Sequence, residues 1–166
     1  MSKRLETFNA LTEEAALVQL LRVCTSTVWA RAVLDQRPFK DQAALLAASE
    51  AAWQLTGEAD WLETFEGHPK IGDPQALQGG VETTAMQEQG QVSMALASTR
   101  EALARLNQIY LDRFGFIFII CASGRSAEAM RAVLELSLER SRGDELQRAA
   151  GEQLQIMTRR LRAWFE

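Results

Sequence analysis

Phe114-Gly115-Phe116-Ile117-Phe118-Ile119-Ile120-Cys121-Ala122 is the stretch on which the fold class turns. These nine residues are apolar, rich in aromatic and β-branched types, and closed by Ser123-Gly124. The run predicts a buried strand or a buried extended segment. No second stretch offers an obvious partner strand, so the flanking patterns decide the class. A lone extended segment has backbone N–H and C=O groups that need partners. Side chains, water or a ligand can supply them, and the run does not say which.

Outward from this run, every pattern is helical. Ser98-Thr99-Arg100-Glu101 has capping-box spacing and predicts a helix starting at Ser98, with Leu103, Leu106 and Tyr110 inward. Before it, a helix from Thr83 or Thr84 carries Met86, Glu88, Gln89, Val92 and Met94. After the run, Ser126 caps a helix with Met130, Val133, Leu134 and Leu138 inward, ending near Gly143. Asp144 starts the last helix, whose stripe is Leu146, Ala150, Leu154, Met157 and Leu161. Arg159, Arg160 and Arg162 crowd its final turn, where cations suit the helix dipole. In the first third of the chain, Thr12 caps a helix with Leu17, Leu20, Leu21 and Cys24 on one face. Ser26 or Thr27 caps a short helix carrying Trp29, Val33 and Leu34, ended by Arg37-Pro38-Phe39. Asp41 caps a third, with Leu45, Ala48, Ala52 and Leu55 inward and Gly57 as its stop. Asp60 to Phe65 reads as a further helical turn or two. The tryptophans and phenylalanines are assigned to the core. The expectation is an all-α fold: one domain over residues 1–166, about eight short helices and one apolar extended segment.

Composition bounds the function. A chain of 166 residues, 47% hydrophobic and 24% charged, has the make-up of one globular domain with a real core. A net charge of −4 argues against nucleic acid as the main partner, because phosphate binding needs a basic face. Fifteen arginines against three lysines suit recognition of carboxylates, although genomic base composition produces the same bias. Cys24 and Cys121 lie far apart in apolar surroundings, as buried thiols of a reducing cytoplasm do. One histidine and no CxxC give no zinc or iron–sulfur motif. No apolar run reaches the length of a membrane span, and the N-terminus lacks the apolar core of a signal peptide. Phosphate-binding glycine loops and the GxSxG elbow are absent.

Acid–base and hydrogen-bonding chemistry is left, and it centres on Gly67-His68-Pro69-Lys70-Ile71-Gly72-Asp73-Pro74. Pro69 steers His68, the chain's one histidine, out of α backbone, so the imidazole is expected on a stiff turn between helices. There it is either a surface side chain or a proton donor and acceptor near neutral pH. Glu88 is the carboxylate to pair with it. Ala85 (i−3) and Val92 (i+4) flank it on one apolar face, so it is either a boundary residue or an inward acid that needs a partner or a substrate.

Several blocks in order resemble a known family. They are Phe8-Asn9, Cys24-x-Ser26-x-x-Trp29, Arg37-Pro38-Phe39, His68-Pro69-Lys70-Ile71-Gly72, Glu88-Gln89, Phe114-Gly115-Phe116-x-Phe118 and Ile156-x-x-x-Arg160-Leu161. Together they are similar to 2-oxo-4-hydroxy-4-carboxy-5-ureidoimidazoline (OHCU) decarboxylase. The resemblance implies an all-helical fold, usually a homodimer, and conversion of the small molecule OHCU to (S)-allantoin and carbon dioxide in urate breakdown. It implies no metal and no organic cofactor. It makes His68 the catalytic histidine, with Pro69 beside it in the pocket, and Glu88 and Gln89 the pair that holds the substrate. Backbone from Ile120 through Cys121, Ala122 and Ser123 to Gly124 lines the pocket, and Arg160 is the C-terminal arginine near it. Three positions depart from the family pattern: Ala85 where serine is usual, Ile117 where proline is common, and Lys70 where arginine is common. Ala85 keeps open a same-family enzyme acting on another ureido acid. A non-catalytic helical interaction module is the other alternative.

Overall fold

The computed structural model describes residues 3–68 and 90–164, and their side chains except in 90–96. The turn from Pro69 to Pro74, the expected helix start at Thr83 or Thr84, and Ala85, Glu88 and Gln89 lie outside the described residues. Eight helices and no strand occur among those described: α1 (Lys3–Ala10), α2 (Glu13–Val23), α3 (Thr27–Leu34), α4 (Gln42–Gln54), α5 (Glu58–Glu66), α6 (Gly90–Phe114), α7 (Ala127–Ser137) and α8 (Arg142–Ala163). The chain is all-α, as expected.

The helices fall into two units: Met1–Gly67 with Ala150–Glu166, and His68–Ala149. In the first, local capping chemistry sets the helix starts. Thr12 accepts from the Ala15 N–H, Ser26 from Trp29 and Asp41 from Ala44, so each expected cap is in place, with Ser26 rather than Thr27. Their apolar faces close one core. Leu5, Phe8, Leu20, Trp29, Val33, Leu45, Trp53, Met157 and Leu161 are all buried in it. The two buried indoles are satisfied by carbonyls, Trp29 Nε1 donating to Ser49 and Trp53 Nε1 to Ala150, both at 3.0 Å.

The first unit departs from the sequence expectation at four points. Helix α1 precedes the expected first helix. Only Leu5 and Phe8 anchor it, and tertiary bonds hold its end. Asn9 exchanges two hydrogen bonds with the Phe39 backbone, and Arg37 Nη1 donates to the Phe8 and Leu11 carbonyls. The buried positions of α2 are Ala16, Leu20 and Val23, with Leu17 and Leu21 only half-buried, so its face is rotated from the expected one. Leu55 is 79% exposed rather than inward, because it is the C-cap residue where α4 has stopped turning toward the core. Gly57 does not stop α4 but opens α5, its N–H donating to Asp60 at 3.0 Å.

In the second unit, α6 overturns the expected start at Ser98. The helix runs unbroken from Gly90 to Phe114, and Thr99, Leu103, Asn107, Tyr110 and Phe114 form one buried stripe across that point. Capping-box residues start a helix only where the preceding backbone leaves it, and no proline or glycine interrupts residues 91–114. Gly115, at φ +79°, ends α6 with its N–H on the Leu111 carbonyl at 2.8 Å. Residues 117–122 then belong to neither a helix nor a strand. Ser126 caps α7, which stops at Ser137, earlier than Gly143. Gly143 instead sits in the first turn of α8, because Ser141 caps that turn through the Asp144 N–H and shifts the start to Arg142.

Candidate active site

His68 is half-buried and is the first residue after the C-cap of α5. Two bonds finish that helix: Thr64 Oγ1 donates to the Asp60 carbonyl at 2.8 Å, and Gly67 N–H donates to the Thr64 carbonyl at 3.2 Å. Gly67 is tight against the α2–α3 connection. A Cβ there would lie 3.0 Å from both Cγ2 and Oγ1 of Thr25. The backbone that leads into the histidine is therefore held against a neighbouring element.

Arg160 belongs to the same unit as α5. Its Nη1 donates to the Val23 carbonyl at 2.7 Å, capping the C-terminus of α2. The arginine thus serves a helix end, but that of α2 as well as its own. Partial burial lowers its pKa, against a small opposing effect of Cys24. Next to it, the Cys24 thiol lies 3.6 Å from Thr64 Oγ1, and burial raises its pKa. A thiol so placed stays protonated at neutral pH and is no nucleophile. Both cysteines are free and buried, as expected.

The stretch from Ile120 to Gly124 splits by exposure. Ile120 and Cys121 are buried, while Ala122, Ser123 and Gly124 are exposed. Arg125 N–H donates to the Ala122 carbonyl at 3.1 Å, closing a turn in which Gly124 has φ +78°. That conformation at the third position of a turn favours glycine. The sequence left open what satisfies this extended backbone. Arginines of α8 supply part of the answer: Arg142 Nε donates to the Phe114 carbonyl at 3.1 Å and Arg148 Nη2 to the Ile119 carbonyl at 3.0 Å. Their guanidinium groups also lie over the Phe116 and Phe118 rings. Tyr110 packs against Phe114, Phe116 and Phe118, at ring-centroid distances of 4.7, 5.6 and 5.3 Å. Its hydroxyl donates to Glu145 Oε1 at 2.7 Å, and Arg148 Nε donates to the same oxygen at 2.6 Å.

Tyr110 is buried, as its inward position in the sequence predicts, but its bond to Glu145 and the part played by Glu145 and Arg148 escaped the sequence reading. The signal was the i,i+3 pair of Glu145 and Arg148 beside the α8 stripe, which reads equally well as a surface ion pair. Burial gives the cluster a pH signature. Desolvation first, then the bond to Glu145, pushes the Tyr110 hydroxyl well above the ordinary phenol value. The folded state keeps a proton that the unfolded chain releases near pH 10, so this contribution is complete below about pH 10 and falls as pH rises further. The expected slope is at most about 1.4 kcal/mol per pH unit. Denaturant midpoints of wild type and Tyr110→Phe between pH 8 and 11 check this, and parallel curves would contradict it. Tyr110 is the chain's single tyrosine, so phenolate absorbance reads its titration without interference.

Pro69, Ala85, Glu88 and Gln89 lie outside the described residues. Among those described, no cluster of three or more histidine, cysteine or acidic residues can hold a metal ion. No described helix is long and apolar enough to cross a membrane. A cleft of about 480 Å³ in the first unit, walled by Phe8 and Trp164 and rimmed by Lys3, Arg4 and Arg22, contains none of the candidate catalytic or substrate-binding residues.

Comparison with known proteins converges on one family. The family model described as OHCU decarboxylase matches residues 9–162. The chain is 32% identical over 145 residues to the uric acid degradation bifunctional protein TTL of Arabidopsis thaliana, covering 86% of this chain and 45% of that protein. It thus spans less than half of that relative. It is 25% identical over 162 residues to 2-oxo-4-hydroxy-4-carboxy-5-ureidoimidazoline decarboxylase of Haloferax volcanii, covering 97% of this chain and 95% of that one. A crystal structure of OHCU decarboxylase in the presence of (S)-allantoin matches with a TM-score of 0.73 at 31% identity, over 89% of this chain and 96% of that chain.

Proposed function

Because the chain belongs to the OHCU decarboxylase family, we propose that it is a carboxy-lyase converting OHCU to (S)-allantoin and carbon dioxide in urate degradation. The observation that carries this reading is His68, the one histidine, half-buried at the braced end of α5 within a chain that matches the family nearly end to end. Residues 1–166 would act as one functional domain, as a homodimer in the cytoplasm, with no cofactor.

The chemistry fits those residues. The substrate's carboxylate sits on a ring carbon next to a C=N group. When the carbon–carboxylate bond breaks, its electron pair moves toward that C=N, so the substrate is its own electron sink. One proton is then taken up on one face of the ureido-bearing carbon, and the neighbouring hydroxyl becomes the product carbonyl. The protein has to orient the carboxylate, stabilise developing charge and deliver the proton to one face. His68 is assigned the proton delivery. Glu88 would accept hydrogen bonds from the substrate hydroxyl or ureido N–H groups, with Pro69 beside the imidazole. Gln89 and the backbone of Ile120 to Gly124 would read the ring amides, and Arg160 would face the anionic substrate.

A chiral assay tests the reading. Urate oxidase and hydroxyisourate hydrolase generate OHCU in situ, and circular dichroism follows (S)-allantoin with and without the protein. OHCU decays spontaneously to racemic product, so optical purity is the decisive signal. Racemic product at the spontaneous rate would overturn the proposal.

Ala85 supports a second reading within the family, an enzyme for a different ureido acid. If OHCU is the substrate, Ala85→Ser changes kcat/KM for OHCU by less than about tenfold, the scale of one neutral hydrogen bond. A larger gain from the added hydroxyl, from a poor wild-type rate, would favour the other substrate.

A further inference from the structure

We propose that Arg148 is a positioning residue for the decarboxylation, setting the peptide plane between Ile119 and Ile120 so that the Ile120 N–H faces the substrate. This rests on the reading that the backbone of Ile120 to Gly124 lines the pocket. Arg148 Nη2 donates to the Ile119 oxygen at 3.0 Å. That oxygen and the Ile120 N–H belong to one rigid peptide unit, which is trans, the one cis bond among the described residues being Arg37-Pro38. In a trans unit the C=O and N–H point opposite ways. A guanidinium that holds the carbonyl from α8 therefore turns the Ile120 N–H away from α8.

The guanidinium is itself immobilised. Glu145 is fully buried, and its Oε1 accepts from Arg148 at 2.6 Å and from Tyr110 at 2.7 Å. The guanidinium carbon lies 4.8 Å from the centre of the Phe118 ring, and Tyr110 packs against Phe118 at 5.3 Å. Net stability is a poor account of such a cluster. Glu145 Oε2 and Arg148 Nη1 are buried without a hydrogen-bond partner. Buried ion pairs are commonly no better than well-packed apolar side chains of the same volume. What this one supplies that an apolar group cannot is direction. Arg148 donates to one named carbonyl in the segment that lacks a partner strand, immediately before its first proposed substrate-binding residue.

The test uses the full chain, with (S)-allantoin as the probe. In wild type, backbone amide resonances of Ile120 to Gly124 are expected to shift as (S)-allantoin is added. Arg148→Met keeps the aliphatic stem over Phe118 and removes the donors. It should move the Ile120 amide resonance before ligand is added and raise KM for OHCU and Kd for (S)-allantoin on the order of tenfold. A purely structural loss would lower the active fraction, hence kcat, and leave KM and Kd unchanged. Arg148→Lys should recover part of the affinity, and Tyr110→Phe, which frees one side of Glu145, should weaken it less. Those two variants decide the matter if Arg148→Met fails to fold: unchanged KM and Kd in both would overturn the proposal. Wild-type shifts together with unaltered KM and Kd in Arg148→Met would also overturn it while leaving the pocket reading intact. Absence of wild-type shifts in Ile120 to Gly124 would remove the pocket reading, and this proposal with it.

Discussion

His68→Asn is expected to lower the rate of (S)-allantoin formation on the order of 10²-fold or more, the usual loss when a positioned proton-transfer group is removed. Asparagine keeps a polar side chain that can hydrogen-bond to substrate, but it neither gains nor loses a proton near neutral pH. Product then forms mainly by spontaneous decay, so optical purity should collapse with the rate. Binding of (S)-allantoin should survive within a few-fold, because orientation is assigned to other groups: Glu88, Gln89 and the Ile120 to Gly124 backbone. Circular dichroism of product from freshly generated OHCU, with calorimetric titration of (S)-allantoin, separates the two effects. Optically pure product at near-wild-type rate from His68→Asn would end the assignment of the histidine. Loss of binding together with rate would recast it as a substrate-holding residue.

Trp29→Ala is expected to remove about 3–5 kcal/mol of folding stability, as truncation of a fully buried large aromatic does. Trp29 is 0% exposed, contacts the core of the first unit, and donates its indole N–H to the Ser49 carbonyl. Against a typical total of about 5–15 kcal/mol, that is a large part of the whole. At about 2–4 °C per kcal/mol for a chain of this size, the melting temperature should fall by roughly 6–20 °C. Trp29→Phe should fall between, since it retains much of the apolar volume and gives up the hydrogen bond, at about 1 kcal/mol. Thermal melts of the three proteins check the order. A melting temperature for Trp29→Ala within a few degrees of wild type would show that the core collapses around the loss.

The two predictions differ in how far the sequence alone carries them. Trp29 could be assigned to the core because Ser26 caps its helix and Val33 follows at helical spacing, and the structure places both as read. His68 could be singled out because proline follows it and no second histidine exists. Its pairing with Glu88 rests on spacing and resemblance. By contrast, the capping-box residues at Ser98 misled, because the same local chemistry recurs inside a longer helix whose buried stripe runs through Thr99. Leu55 misled for a related reason: its spacing continues the α4 face, but the helix ends one residue before it. Periodicity describes a helix face and says nothing about where the core stops.

By itself the sequence determined the all-α class, most cap positions, the family and the candidate histidine. Each of these depends on chemistry within a few residues or on blocks met in order along the chain. Tertiary structure alone decided how the Phe114 to Ala122 run is held. The nine residues promised a buried extended segment with no partner strand, and left its carbonyls unassigned. Arg142 and Arg148, 28 and 29 residues beyond the carbonyls they meet, supply the donors, and Tyr110 and Glu145 fix the second of them in place. Arg160 likewise reaches Val23 across 137 residues. Such bonds are set by which helix faces pack together, and a side chain's own neighbours in sequence carry no record of that.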